Sequence, residues 1–290
     1  MTNIGLPAKK NVAIVDEFKT KTIDLDEDNV PDISHGHLVE TYLKASNPNV
    51  KVDRFQVDYN DPKKQNFNNK DVLNAFEKVY QKIENGEKYD AVNLSMGSNY
   101  DISNLQKTVN KGINNKNINH FKPQIKDYVS KNLPEVNKNI SSLEKITSKG
   151  VPVYVSAGND KASHYNLLGL ANGTKTVGSS DHKGNVSGFS ANNNDISNFE
   201  KGEYFLRTTK DSNGNINGMD VNNDGKPDIP VSILSDSKAK KGPLFGSSSI
   251  KDISTINGTS FSAPVAVAKF LETLSRVSSF SNGEQAFGPR

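Results

Sequence analysis

Four short segments carry side chains that together could hydrolyse a peptide bond. That reaction needs a nucleophile, a base, an acid that orients the base, and hydrogen-bond donors for the oxyanion that forms. Ser260 lies in Asn257-Gly258-Thr259-Ser260-Phe261-Ser262-Ala263-Pro264, where a loop meets an apolar run at helical spacing. Its small neighbours would let a substrate backbone approach. We expect Pro264 to fall within the first turn of the helix, where proline is tolerated.

The other three parts lie at similar junctions. His35 enters a predicted helix in Ser34-His35-Gly36-His37-Leu38-Val39, Asp16 ends a predicted strand, and Asn159 closes Ser156-Ala157-Gly158-Asn159. His37 is a second candidate for the base. Each residue alone also has a structural interpretation, as a turn former or a helix cap. The hydrolytic hypothesis therefore depends on whether the fold brings the four together.

The elements that would position these residues alternate between helices and short apolar strands. Strands are predicted at 11–16, 49–57, 91–94 and 151–155, and helices at 36–46, from a cap at Asp71 to Gly86, and over the stretch that ends at Gly150. This alternation is typical of a parallel sheet covered by helices on both faces. Ligands bind at the carboxyl ends of such strands, where Asp16, Ser95 and 156–159 fall.

The rest of the chain contains no recognisable linker or repeat, so we expect a single domain over residues 1–290. Residues 99–139 are rich in Asn and Lys with little periodicity, and they predict a polar surface insertion with one helix. Residues 181–230 are rich in Asn, Asp and Gly, which predicts loops and short hairpins.

Taken together, the four segments resemble the subtilisin-like serine proteases, or subtilases. Gly258-Thr259-Ser260-Phe261-Ser262-Ala263-Pro264 resembles the nucleophile motif G-T-S-x-[AS]-x-P, His35-Gly36-His37-Leu38-Val39 resembles H-G-x-x-V, and Ala157-Gly158-Asn159 resembles A-G-N. The resemblance spans roughly residues 11–275 and keeps the family's order of Asp, His, Asn and Ser. It implies an α/β fold, a three-layer α/β/α sandwich with a mostly parallel sheet. It also implies a serine endopeptidase with the triad Asp16, His35 and Ser260 and the oxyanion donor Asn159.

The same resemblance implies further roles. The motif's register makes His35 the base and leaves His37 as a packing residue at the helix start. Val92-Asn93-Leu94-Ser95-Met96-Gly97 resembles the strand that lines the substrate cleft. The implied substrate-binding residues are Ser95, Met96, Gly97, Ser156, Ala157 and Gly158.

The sequence also departs from the family. Glu17 and Phe18 follow Asp16 where a small polar residue and Gly are usual, and Glu40 follows Val39 where a small residue is usual. The alternative function is a catalytically silent binding module with the same fold.

Two acidic loops form a second group of chemistry-bearing residues. Residues 24–32 place carboxylates at loop positions 1, 3, 5 and 9, and residues 220–228 repeat this spacing with Asn at position 3. Calcium loops use alternate positions and a left-handed turn at position 6, where Asn29 and Gly225 fall. Because oxygen ligands favour calcium, we expect structural calcium rather than two solvated turns. The candidate ligands are Asp24, Asp26, Asp28, Val30 and Asp32 in the first loop and Asp220, Asn222, Asp224, Lys226 and Asp228 in the second.

The composition of the chain limits the kinds of molecule that it is expected to bind. The chain has 290 residues, a net charge of +3, no cysteine and a mean hydropathy of −0.65. The charge is small and dispersed, which argues against nucleic acid, and no apolar run is long enough to span a bilayer. We expect a monomer that acts on protein or peptide substrates. We expect a secreted protein. A cytoplasmic protein is the alternative, because residues 1–10 contain no secretory signal.

Overall fold

The computed structural model describes residues 9–27, 29–64, 66–109, 112–234 and 253–284. Within these ranges the α-helices are α1 (His35–Ser46), α2 (Asn69–Glu84), α3 (Ile102–Thr108), α4 (Lys122–Asn132), α5 (Pro134–Ser148) and α6 (Thr259–Glu284). The strands are β1 (Lys10–Asp16), β2 (Lys21–Ile23), β3 (Ile33–Ser34), β4 (Val50–Gln56), β5 (Tyr59–Asp61), β6 (Asn66–Phe67), β7 (Ala91–Leu94), β8 (Asn99–Asp101), β9 (Val153–Ser156), β10 (His164–Asn166), β11 (Thr174–Ser180), β12 (Ile196–Lys201), β13 (Glu203–Lys210), β14 (Ile216–Asp220), β15 (Ile229–Pro230) and β16 (Ile253–Asn257).

Six strands form a parallel central sheet in the order β12-β11-β9-β7-β1-β4. Residues 12–15 of β1 are all fully buried, because helices cover both faces of the sheet. This burial explains why the strand is an unbroken apolar run rather than an alternating one. The predicted strands at 11–16, 49–57, 91–94 and 151–155 are confirmed as β1, β4, β7 and β9, with shifts of one or two residues at their ends.

The helices form the two outer layers. Helices α2 and α5 pack together on one face of the sheet, and α1 packs on α6 on the other. Each layer has its own apolar core: one gathers side chains such as Phe76 and Leu143, the other side chains such as Leu38 and Leu271. The predicted three-layer α/β/α sandwich is confirmed.

A smaller antiparallel sheet, in the order β15-β14-β13-β16, lies beside the α1–α6 layer. Its buried side chains, including Leu206 and Met219, join the same apolar core as α1 and α6. The prediction of hairpins within 181–230 is confirmed by β13 and β14. Strand β16 matters most for function, because it leads directly into Thr259 and Ser260 at the start of α6.

The segment 99–139 is more ordered than its sequence predicts. Instead of one helix it contains α3, α4 and the first residues of α5. Leu105, Ile118, Ile125 and Val129 are fully buried and join the core under α2 and α5. The sequence predicted one helix too few because single apolar residues, spaced among many Asn and Lys, are enough to anchor these short helices.

Helix α2 differs from its prediction at the first turn. Its N-cap is Asn68, whose Oδ1 accepts hydrogen bonds from the backbone N–H groups of Lys70 and Asp71. Asp71 therefore lies inside the first turn, where its charge complements the helix dipole.

None of the helices in the described ranges is long and apolar enough to cross a membrane.

Candidate active site

Three adjacent parallel strands bring the candidate residues to one edge of the central sheet. Val15 of β1 is level with Leu94 of β7, and Leu94 is level with Val155 of β9. The residues that come next in the chain, Asp16, Ser95 and Ser156, therefore lie at the same height. Two helices begin at this edge, α1 at His35 and α6 at Thr259.

Asp16 and His35 form a buried pair. The Nδ1 atom of His35 lies 2.7 Å from Oδ1 of Asp16, and the two residues are 7% and 0% exposed. The same Oδ1 also accepts a hydrogen bond of 2.7 Å from the backbone N–H of Glu17. Because Nδ1 is occupied in this way, the Nε2 atom is the ring nitrogen available to a reacting group.

The carboxylates around His35 set its protonation. Burial of the ring would lower the pKa of His35, but the charge and hydrogen bond of Asp16 and the charge of Glu17 outweigh it. The pKa of His35 is therefore raised above its ordinary value. The arrangement favours the imidazolium form, which a general base must adopt after it takes a proton.

Glu17 and Phe18, which depart from the family pattern, are accommodated by Gly36. The carbonyl of Glu17 accepts a hydrogen bond of 2.7 Å from the N–H of Gly36. A Cβ at position 36 would lie 2.7 Å from that carbonyl and 2.8 Å from the ring of Phe18. Glu17 is fully buried, and its Oε1 accepts the N–H groups of Lys19 and Thr20 at 2.7 Å each. Its carboxylate thus closes the turn after β1.

Glu40, the other departure, is buried in α1 but paired. Its two oxygens accept hydrogen bonds of 2.6 Å from Arg54 Nε and Lys44 Nζ. Burial would raise the pKa of Glu40, but these two cations hold it below its ordinary value. The carboxylate therefore remains charged without contacting the candidate site.

His37 lies away from Asp16. Its Nδ1 is 2.7 Å from the Oγ of Ser34, the N-cap of α1, and its ring packs edge-on against Phe18. It lines a separate cavity of about 750 Å³, which Ser260 does not line. The geometry brings His35 to the carboxylate and leaves His37 as a residue of the helix start.

Ser260 is tied to Ser95 by two hydrogen bonds. Ser260 Oγ donates to the carbonyl of Ser95 at 3.0 Å, and Ser95 Oγ donates to the carbonyl of Ser260 at 2.6 Å. The expectation that Pro264 falls in the first turn was wrong, because α6 already begins at Thr259. Proline has no N–H for the carbonyl four residues earlier, which is that of Ser260. The Ser95 hydroxyl takes the place of this missing donor.

Asn159 is oriented by the start of α6. Its Oδ1 accepts hydrogen bonds from the N–H of Thr259 at 2.9 Å and from the hydroxyl of Thr259 at 3.0 Å. The Thr259 hydroxyl also accepts the N–H of Gly158, which has a left-handed φ of 104°. With Oδ1 committed to the helix, the Nδ2 donors of Asn159 are the part of the amide left for a ligand.

These residues surround one cleft. A cavity of about 260 Å³ is lined by His35, Asn159 and Ser260, and a second cavity of about 280 Å³ shares the same three residues. Of the predicted substrate residues, the first cavity is also lined by Ser95, Met96, Gly97, Ser156 and Gly158. Ala157 does not line either cavity: it is 2% exposed, and its N–H donates to the carbonyl of Val177. Ala157 instead joins β9 to β11, and its role in substrate binding stays a prediction.

Sequence patterns did not predict four residues of this cleft. Tyr59, Phe67, Asn99 and Asp160 line it, and the side chain of Asn99 donates a hydrogen bond to Asp160 at 2.6 Å. Asp160 directly follows Asn159, so its place could have been inferred from the motif. Tyr59 and Phe67 lie on the small hairpin β5–β6, for which no pattern in the sequence was recognised.

The first acidic loop gathers three carboxylates. One oxygen each of Asp24, Asp26 and Asp32 lie within 4.8 Å of one another, and Asp26 and Asp32 are 1% and 0% exposed. Asp28 lies outside the described residues. Asn29 has a left-handed φ of 70°, as its loop position predicts. The donor set consists of hard oxygen ligands and fits calcium.

The second loop repeats this backbone. Gly225 has a left-handed φ of 82°. In both loops the carboxylate at position 1 accepts a hydrogen bond from the backbone N–H at position 6. The carboxylate at position 9 accepts one from the backbone N–H at position 2. The residues at the positions of Asp24, Asp26 and Asp32 are here Asp220, Asn222 and Asp228, which offer two carboxylates and one amide. Burial raises the pKa of Asp228, and the charges of Asp220 and Asp224 raise it further, so the loop concentrates negative charge.

Comparisons with known proteins identify the family. Residues 19–285 match the subtilase family of peptidases; the match includes His35, Asn159 and Ser260 and begins just after Asp16. No curated protein matches the sequence. Among solved structures, the chain is similar to the prenylagaramide maturation protease PagA, with 15% identity, a TM-score of 0.54, and 94% of this chain and 78% of that chain covered.

Two further structures are comparably similar. A lanthipeptide protease has 16% identity and a TM-score of 0.50, with 89% of this chain and 71% of that one covered. The epidermin leader peptide processing serine protease EpiP from Staphylococcus aureus also has 16% identity and a TM-score of 0.50, with 90% and 63% covered. At this identity the likeness establishes the fold, while the match over most of the sequence establishes the family. The chain belongs to the subtilase family of serine proteases.

Proposed function

We propose that this subtilase is an endopeptidase whose nucleophile is Ser260, whose general base is His35 and whose orienting acid is Asp16. The observation that supports this most is the 2.7 Å contact between His35 and Asp16, in a cleft that Ser260 and Asn159 also line. A silent binding module would not require a buried carboxylate on the far nitrogen of this imidazole.

The reaction proceeds through an acyl-enzyme. The Ser260 hydroxyl turns from the carbonyl of Ser95 toward Nε2 of His35, gives up its proton there, and its Oγ forms a bond to the substrate carbonyl carbon. The imidazolium, held by Asp16, then passes that proton to the leaving amine as the C–N bond breaks. A water molecule then gives a proton to His35 as its oxygen bonds to the ester carbon. The bond between that carbon and Ser260 Oγ breaks, His35 returns the proton to Oγ, and the acid product leaves.

The oxyanion of each tetrahedral intermediate needs donors that are already in place. Asn159 Nδ2 and the backbone N–H of Ser260 are suited to this role, because Oδ1 of Asn159 is fixed by Thr259. Donors held in advance stabilise the transition state without the cost of reorganisation. The amide of Asn159 therefore contributes to kcat rather than to substrate affinity.

The substrate lies extended in the cleft. Residues 95–97 continue from the end of β7, and Gly97 is exposed to the cavity. A peptide can add to such a segment as a further strand through main-chain hydrogen bonds. Gly97 has no room for a side chain, since a Cβ there would lie 2.4 Å from Nδ2 of Asn166.

A substitution of the nucleophile tests this function. Ser260→Ala should reduce casein degradation to background, because no nucleophile remains, while circular dichroism and the melting temperature stay close to those of the wild type. Ser141→Ala, which removes an exposed serine of α5, is the matched control and should keep full activity. Casein degradation by purified Ser260→Ala at the wild-type rate would refute the assignment.

We also propose that the first acidic loop binds a structural calcium ion. Asp24, Asp26 and Asp32 would hold it, because three carboxylates so close together repel one another without a cation. A divalent ion would offset this repulsion. The second loop has the same backbone, but one carboxylate is replaced by Asn222. Calcium at the second loop therefore remains an expectation with weaker electrostatic support.

A further inference from the structure

A small cavity adjoins the cleft and contains a buried amide. The cavity has a volume of about 220 Å³ and shares Phe67, Met96, Gly97 and Asn99 with the cleft around Ser260. Asn139 of α5 and Leu168 also line it. A peptide that lies along residues 95–97 would place alternate side chains on either side of that segment. The cavity is thus within reach of a substrate side chain.

Asn139 is unusual among the residues of α5. It lies on the buried face of the helix beside Val136, Ile140 and Leu143, and it is 2% exposed. Its Oδ1 makes no hydrogen bond with any described residue. A buried polar group without a partner is costly, and most such groups in folded proteins are hydrogen-bonded. An apolar residue at this position would extend the core without that cost.

The remaining wall of the cavity defines what could pair with this amide. The cavity is lined by apolar side chains and by the neutral polar residues Asn69, Ser98 and Asn99, and none of the described residues that line it is charged. A charged substrate side chain would find no counter-charge on these walls. A carboxamide or a hydroxyl can both donate and accept, so it can pair with either end of the Asn139 amide.

We propose that this cavity is a substrate subsite that selects a neutral hydrogen-bonding side chain, a carboxamide above all, through Asn139. The inference rests on the proposed endopeptidase function. Discrimination arises because an apolar substrate side chain of the same size would leave the buried amide unpaired. Sites built to hydrogen-bond a substrate group discriminate strongly against analogues that lack it.

A position-scanning peptide library compared across variants tests this subsite. At one position on the N-terminal side of the cut, the wild type should prefer Gln over Met, which has a similar length, by about 10-fold or more in kcat/KM. Asn139→Leu should remove or reverse that preference at this position alone. Asn137→Leu is the matched control, since Asn137 lies on the same helix outside the cavity, and it should keep the preference.

Further readouts separate the possible failures. If Asn139→Leu does not fold, Asn139→Asp replaces it: the carboxylate keeps an acceptor and adds a charge, so the preference should move from Gln to Lys. A wild type that cleaves peptides with a Gln/Met ratio near one at every position would overturn the subsite. A ratio that remains unchanged in the folded variants would do the same. A wild type that cleaves no peptide at all would instead contradict the proposed function.

Discussion

At the scale of residues, the proposed base His35 lies next to two buried carboxylates rather than one. Asp16 makes the direct hydrogen bond to His35, while Glu17 is fully buried and acts on the ring through its charge. Both carboxylates raise the pKa of His35. A general base works only when neutral, so activity should be lost as the pH falls through this raised pKa.

Glu17→Gln tests the contribution of the second carboxylate. The amide keeps an oxygen that can accept the N–H groups of Lys19 and Thr20 but removes the charge. The pKa of His35 should fall, so the acidic limb of the kcat/KM profile should move to lower pH, with the plateau at high pH little changed. Glu87→Gln, at an exposed position, is the control. An acidic limb that does not move would show that Glu17 only closes the turn.

At the residue scale, sequence prediction was most specific where a motif fixes the spacing. The register of Gly36 and Val39 distinguished His35 from His37, and the two histidines have the contacts that this register implies. The surroundings of Glu17 and Glu40 could not be predicted in this way. Their partners Gln56 and Arg54 lie on β4, which approaches only after the sheet has formed.

At the scale of elements, the proposed nucleophile Ser260 is held where β7 ends and α6 begins. Pro264 removes the helical donor to the carbonyl of Ser260, and the buried hydroxyl of Ser95 replaces it. The same hydroxyl accepts a hydrogen bond from Asn93 Nδ2 at 3.0 Å. The first turn of α6 is thereby fixed to the segment along which the substrate is proposed to lie.

A double-mutant cycle tests this link. Ser95→Ala should lower the free energy of unfolding by about 1–3 kcal/mol, because a carbonyl is left without its partner, and should reduce kcat more than it raises KM. Pro264→Ala supplies an N–H for the same carbonyl and should partly rescue Ser95→Ala in both respects. Urea denaturation and steady-state kinetics measure the two effects. If Ser95→Ala causes equal losses with and without the Pro264→Ala substitution, the link is disproved.

Periodicity predicted the elements that flank the cleft but not those around residues 99–139. Strands such as β1 and β7 are buried on both faces and therefore form clear apolar runs. Helices α3 and α4 are short and polar, with only two buried residues each. Their helical state depends on tertiary packing, which a local pattern does not contain.

At the scale of the whole molecule, the first acidic loop is connected to the proposed base, His35. Asp32 ends the loop, β3 follows at once, and α1 begins with His35. An ion in this loop would therefore stabilise both the fold and the position of the imidazole. Binding to the folded state alone adds about 2.7 kcal/mol at a hundredfold excess of free ion over Kd.

Calcium removal, together with one variant of each loop, should distinguish the effects of the two loops on stability and activity. EDTA should lower the melting temperature and the activity together, and added calcium should restore both. Asp26→Asn should impair both properties, whereas Asp224→Ala should lower the melting temperature with little change in kcat. Isothermal titration calorimetry of the metal-stripped protein measures binding directly. If no calcium binds up to millimolar concentration, the loops are solvated turns and their coupling to His35 is absent.

The central claim is that Ser260 is a nucleophile activated by His35, and covalent labelling tests it most directly. A fluorophosphonate probe should label the wild type rapidly at one site, which peptide mapping by mass spectrometry should identify as Ser260. Labelling should disappear in Ser260→Ala, become very slow in His35→Ala and remain unchanged in His37→Ala. An intact, folded wild type that stays unlabelled, or that is labelled at another serine, would contradict the account and favour a silent binding module.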